Sequence, residues 1–218
     1  MYSVAEYCSP VRAGSCHTKK VDTILNSAIR IISGTLKSTP IQWLPTLSHI
    51  APPHLRRQEV IRKEALLTES KPELPIHEDL ENIPNMRLKS RKPIWQSWKS
   101  LQVSNFDVKE EWRRSWKEPK FANQDLVQDP TSKPAGFDLP RKQWVTLNRI
   151  RTTHARTAHH LHRWKMKESP ACDCGDPDQT VLHVVQDCPL RRFPGGFEAI
   201  HETTDDALFW LTNLDLSL

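Results

Sequence analysis

The sequence predicts a mainly α-helical protein: small helical units joined by a proline-rich, poorly ordered linker, with a small zinc-stabilised module near the C-terminus. Three observations carry this. Apolar residues recur at i, i+3 and i+4 in several stretches, the spacing that places them on one helical face. Seventeen prolines against six glycines, 37% hydrophobic residues and a mean hydropathy of −0.60 point to stiff connections between modest cores. Three of the five cysteines fall in "CDCGDPDQTVLHVVQDC", residues 172–188, with one histidine among them.

The expected divisions are a helical unit over residues 1–69, the linker over 70–137, and basic helices, metal module and final helix over 138–218. In "HTKKVDTILNSAIRIISGT" the residues Val21, Ile24, Leu25, Ala28, Ile29 and Ile32 share one face, and Gly34 follows as a stop. "TPIQWLPTL" offers Thr39 as a cap and Pro40 as first helical residue, with Pro45 cutting the helix short. "PPHLRRQEVIRKEALLTES" predicts a further helix with Leu55, Ile61, Ala65 and Leu66 as its apolar side.

The linker carries Pro72, Pro75, Pro84, Pro93, Pro119, Pro130 and Pro134 among dense charge. Its best helix is "DVKEEWRRSWKE", where Trp112 and Trp116 share a face and are expected to pack against a neighbour. Order returns at Asp138, a candidate cap, with Pro140 in the first turn and Trp144, Leu147 and Ile150 at helical spacing. A break is expected near Thr153, then a second helix with Leu161 and Trp164. "TTDDALFWLTNLDLSL" predicts the last helix, capped by Thr203 or Thr204, with Asp205 and Asp206 at its positive end.

Cys172, Cys174, His183 and Cys188 are spaced as Cys-x-Cys, eight residues, His, four residues, Cys. Soft and borderline ligands of this kind suit tetrahedral zinc, and four of them leave no open coordination position, which predicts a structural ion. Gly175 and "DPD" supply the tight turn that lets two sulfurs reach one ion, and Thr180 begins a short helix carrying His183. Zinc binding worth roughly 10–16 kcal/mol is enough to fold a segment with almost no core. The plainer alternative is a set of buried thiols beside a surface histidine. Cys8 and Cys16 stand apart and read as ordinary thiols, and "HHLH" lacks a partner cysteine for a second site.

Leu139 to Lys167 contains no acid. Its cations are Arg141, Lys142, Arg149, Arg151, Arg156, Arg163, Lys165 and Lys167, interleaved with Trp144 and Trp164. Positive charge with an aromatic platform suits a nucleic-acid backbone and its bases, so RNA or DNA is the expected partner, with Trp164 in the interface. The alternative is a solvated helix face with its tryptophans turned inward. The net charge of +5 and pI of about 9.0 agree with a polyanionic partner. No apolar run reaches the ~20 residues of a membrane span, and the first residues carry no signal-peptide pattern. The expected setting is therefore intracellular and reducing, nuclear or cytoplasmic.

"LPRKQWVTLNRIRT…LHRWKMKESPACDCGDPDQTVLHVVQDCPL" resembles the C-terminal tail of the reverse-transcriptase polyprotein of non-LTR (LINE-type, jockey-like) retrotransposons. "YCSPVRAGSCHTKKVDTILNSAIRIISGTLKSTPIQWLPTLSHIAPPHLRRQE" is similar to the helical thumb that follows the palm in those proteins. The resemblance implies a parent that binds element RNA and copies it at a nicked chromosomal target. It also implies a tail whose Cys172, Cys174, His183 and Cys188 help to grip nucleic acid. The chain departs from the family in several places. No aromatic-x-Asp-Asp turn is present to hold catalytic magnesium, since Asp205 and Asp206 follow the metal motif and open a helix. Arg12 stands where relatives often carry Trp, and relatives often carry glycines near Thr153 and Ala155. The expectation is a non-catalytic, nucleic-acid-binding fragment with no small-molecule substrate. Its competitors are a protein-interaction zinc module and a remnant without function.

Overall fold

The computed structural model describes residues 6–7, 9–81, 94–103, 105–216 and 218. The linker reading over 82–93 lies outside these residues, as does Cys8. The helices are α1 (Ser9–Arg12), α2 (Thr18–Ser33), α3 (Trp43–Ser48), α4 (Pro53–Glu69), α5 (Ile76–Glu81) and α6 (Ile94–Val103). They continue with α7 (Val108–Lys117), α8 (Arg141–Arg151), α9 (Ala158–Arg163), α10 (Gly196–Glu202) and α11 (Asp205–Asn213). A 3₁₀ turn spans Gln124–Leu126 and a π-helical turn His183–Asp187. The described residues contain no strand, and none of their helices is long and apolar enough to cross a membrane.

Two compact units form, Met1–Asn26 with Ala51–Ser115, and Ser27–Ile50 with Trp116–Leu218. They cut across the segments read from the sequence. In the first, α4 packs on α1 and α6, and Pro53 opens α4 where its missing N–H costs nothing. Leu25, Leu55, Ile61, Leu101 and Trp112 are buried there. Past Ile61 no residue of α4 is buried, so Leu66 faces solvent instead of the core. The Arg57 guanidinium forks onto the Asp22 carboxylate and holds α4 to the start of α2.

The buried line of α2 is narrower than its sequence suggested. It runs through Leu25, Ile29 and Ser33, each four residues on, while Ile24 and Ile32 lie about 100° off that line and are exposed.

In the second unit, Pro45 does not stop α3. It is the third residue of the helix, within the first turn, where backbone N–H groups have no intrahelical acceptor and a proline does no harm. His49, left-handed at φ 52°, ends the helix instead, and its N–H reaches the Thr46 carbonyl. Thr39 caps nothing: it is buried, and its hydroxyl has no partner among the described residues. Trp43 meets Trp116 and Phe121 edge-to-face at 5.2 and 5.7 Å, and those two meet at 4.9 Å. Residues 116–127 are therefore folded, although the sequence placed them in the linker. Their aromatics are too irregularly spaced to show as periodicity.

The larger core joins Trp144, Leu147 and Ile150 of α8 to Val181, Val185, Phe193, Ile200, Ala207 and Leu211. The metal segment thus has a hydrophobic backing that the sequence did not reveal, because its contributors are scattered over seventy residues. Asp138 is no cap; it pairs with Lys133 at 2.7 Å, and Pro140 takes the capping position of α8. The expected break falls at Thr153, left-handed at φ 57°. Thr203 closes α10 in the same conformation, and Thr204 caps α11 by accepting from the Ala207 N–H at 3.3 Å.

Candidate metal centre and its basic flank

The first two cysteines sit on a turn that glycine makes possible. The Gly175 N–H donates to the Cys172 carbonyl at 3.0 Å, and the Cys172 N–H to the Asp176 carbonyl at 2.8 Å. Gly175 has φ 97°, a conformation side chains resist. Thr180 Oγ1 then accepts from the His183 N–H at 3.0 Å and starts the helical segment, as its sequence suggested.

In a regular α-helix, His183 and Cys188 would point about 140° apart, since five residues do not complete a second turn. The π-helical turn removes that mismatch. The Cys188 N–H donates to the His183 carbonyl at 2.7 Å, a five-residue bond that swings both side chains to one side.

The four ligand atoms lie within 4.8 Å of one another. Cys172 Sγ and Cys188 Sγ are 3.9 Å apart, and Cys174 Sγ lies 3.2 Å from His183 Nε2. Zinc–sulfur bonds of about 2.3 Å give a tetrahedral sulfur–sulfur edge of about 3.8 Å. Cys172, Cys174, His183 and Cys188 are thus placed to hold one metal ion, with spacings compatible with zinc.

Residues around the ligands complete the site. His183 Nδ1 faces Asp176 Oδ2 at 3.5 Å, which orients the ring with Nε2 towards the sulfurs. Gln179 donates from Nε2 to Cys172 Sγ at 3.5 Å and accepts at Oε1 from the Ala158 N–H at 2.9 Å. Arg191 forks onto Asp215 at 2.7 and 2.9 Å, reaches Asp173 at 2.8 Å, and lies 3.8 Å from Cys172 Sγ. Burial pushes the Cys172 thiol up, but hydrogen bonds from the Cys174 N–H, Gln179 and neighbouring ligands outweigh it and bring it down to about 6. The Asp176 N–H lowers the Cys174 thiol, yet burial and the Cys172 and Cys188 sulfurs raise it overall. A cationic ion would dominate all of these effects and hold the thiols as thiolates. In the sequence Asp176 reads only as part of the turn, and Gln179 and Arg191 have no signal beyond position, one lying between ligands and the other three residues past the last.

The basic flank divides in two. Arg141, Asn148 and Arg149 lie on one face of α8 and receive the end of α2. Arg141 donates to the Ile31 and Ile32 carbonyls, Asn148 Nδ2 to Ser33 O at 2.9 Å, and Arg149 Nε to Gly34 O at 2.9 Å. These donors, two of them cationic, cap the negative end of a helix. Burial, with Arg156 and Arg141 nearby, lowers the Arg149 guanidinium.

Arg151 corrects the sequence reading outright. It is 1% exposed, its guanidinium donates to Ala135 O at 2.8 Å and His201 O at 2.6 Å, and it lies 6.0 Å from the Trp144 ring. Burial pushes it down to about 9, which leaves it charged at neutral pH. No nucleic-acid phosphate reaches a side chain so placed.

Lys142, Arg156, Arg163, Trp164, Lys165 and Lys167 are exposed. Four of these six fall between Arg163 and Lys167, at the end of α9. That helix is fastened to the metal segment by Gln179 and by His159, whose Nδ1 meets Asp178 at 2.7 Å. Trp144 is buried in the core, while Trp164 is 36% exposed and stacks obliquely on His160 at 5.5 Å.

No protein-family model, no curated protein and no solved structure matches this chain.

Proposed function

We propose that the chain is a non-catalytic nucleic-acid-binding module of the kind that ends non-LTR retrotransposon reverse transcriptases, built on a structural zinc ion. One observation carries this reading: four ligand atoms gathered within 4.8 Å, beside an exposed cationic turn from Arg163 to Lys167. Four protein ligands complete a tetrahedron and leave no position for substrate. The ion holds the segment to which α9 is fastened, so it sets where that turn presents its charge. The sequence resemblance of the tail supports the same class. Three thiolates require a reducing compartment, nuclear or cytoplasmic.

The test has two parts. Elemental analysis of purified protein is expected to find one zinc per chain. Titration with single-stranded RNA and DNA across a salt series is expected to show affinity falling linearly with log salt, with slope about −0.7 per phosphate contacted. Zinc-loaded protein that binds neither strand at low salt defeats the nucleic-acid reading.

A further inference from the structure

A cleft beside the metal segment is lined by His159, His162, Arg163, Lys165, Pro170 and Asp178. Two features of its walls point to a particular ligand.

The first is backbone geometry. α9 closes in a Schellman turn: the Lys165 N–H donates to His162 O at 2.9 Å and the Met166 N–H to Leu161 O at 2.8 Å. The residue at that position must be left-handed, and glycine is the usual occupant. Here it is Lys165, at φ 61°. His49 and Thr203 end helices in the same conformation; Lys165 differs from them in that its side chain lines a cleft. What Lys165 adds over glycine is an ammonium group, next to Arg163.

The second is the tautomer of His159. Asp178 is an acceptor only, with both carboxylate oxygens on His159 Nδ1, at 2.7 and 2.9 Å. In the neutral ring Nδ1 must then carry the proton, and Nε2 is left with a lone pair. An acceptor set among cations suits a ligand that is anionic and also brings a hydroxyl donor. A ribonucleotide unit has both, the phosphate and the 2′-hydroxyl, whereas DNA lacks the donor.

Resting on the nucleic-acid reading above, we propose that this cleft selects RNA over DNA: Arg163 and Lys165 bind a backbone phosphate, and His159, oriented by Asp178, accepts a hydrogen bond from a ribose 2′-hydroxyl.

Fluorescence anisotropy on zinc-loaded, full-length protein tests this with a short single-stranded oligoribonucleotide, its 2′-deoxy counterpart, and inorganic phosphate as competitor. Wild type is expected to favour RNA by roughly three- to tenfold, the worth of one hydrogen bond. His159→Phe abolishes the preference, because it lowers the RNA affinity more than the DNA affinity. Lys165→Gly weakens RNA and DNA by the same factor, lowers the salt slope by about 1, and raises Tm because it relieves the left-handed lysine. That rise separates lost contact from lost folding.

Equal binding of RNA and DNA by wild type, with a normal salt slope, overturns the cleft assignment and leaves the broader reading intact. So does a preference that survives His159→Phe, an affinity unmoved by Lys165→Gly, or competition by free phosphate as strong as by the oligonucleotide. Binding of neither strand sinks both.

Discussion

The amide of Cys188 donates to the carbonyl of His183 at 2.7 Å, and this one five-residue bond is what lets a His-x4-Cys spacing place two ligands on the same side. Val185 lies inside that turn and is fully buried in the main core. Packing and metal geometry are therefore set by the same five residues.

Removal of one ligand tests the centre directly. Cys188→Ser is expected to abolish stoichiometric zinc, read by elemental analysis. Asp176→Asn keeps the four ligands and weakens zinc by about 10–100-fold in a chelator competition, because His183 loses the carboxylate that orients it. Unchanged affinity in Asp176→Asn removes that role.

Chelation is expected to loosen the segment without unfolding the unit. Val181, Val185 and Phe193 share a core with residues of α8 and α11 and are not themselves candidate ligands. Far-ultraviolet circular dichroism should retain most of its helical signal after chelation, while Tm falls and the three cysteines become open to thiol reagents. Complete loss of helix shows instead that the core cannot stand without the metal.

Gly34→Ala is expected to destabilise by about 2–4 kcal/mol. Gly34 sits at φ 70°, and an added Cβ would meet Val145 Cγ2 at 2.2 Å. The double variant with Val145→Ala should recover the steric part and leave the backbone part. Chemical denaturation of the four proteins in the cycle measures the coupling.

Thr153→Gly is expected to stabilise by about 1 kcal/mol, because a β-branched residue resists φ 57°. A rise of a few degrees in Tm confirms it; a fall shows that the Thr153 side chain does something at the α8–α9 break that its backbone strain conceals.

His201 predicts a pH dependence. Burial, with Arg151 nearby, pushes its imidazole down to about 4, so the folded protein resists protonating a ring that the unfolded chain protonates near 6.5. Between those values the unfolded state binds the extra proton. The contribution is whole above about pH 6.5 and is lost as pH falls towards 4. After discount for partial exposure it is on the order of 2 kcal/mol. Zinc loss in acid acts on wild type and variant alike, so the measure is the difference in denaturation free energy between wild type and His201→Gln. Parallel curves exclude the effect.

The sequence by itself determined most of the longer helices and the candidate ligand set. Helical periodicity and cysteine–histidine spacing are local properties, and Leu147, Ile150, Cys172 and His183 declare them within a few residues. Tertiary structure decided which charges are free. Arg141, Arg149 and Arg151 look the same in sequence as Arg163 and Lys165, yet the first two cap the end of α2 and the third is buried under His201. It also decided that Trp116 and Phe121 belong to a core and that the metal segment has one behind it. A guanidinium's role depends on which carbonyls lie within about 3 Å. Those carbonyls come from parts of the chain up to 115 residues away, where no local pattern can announce them.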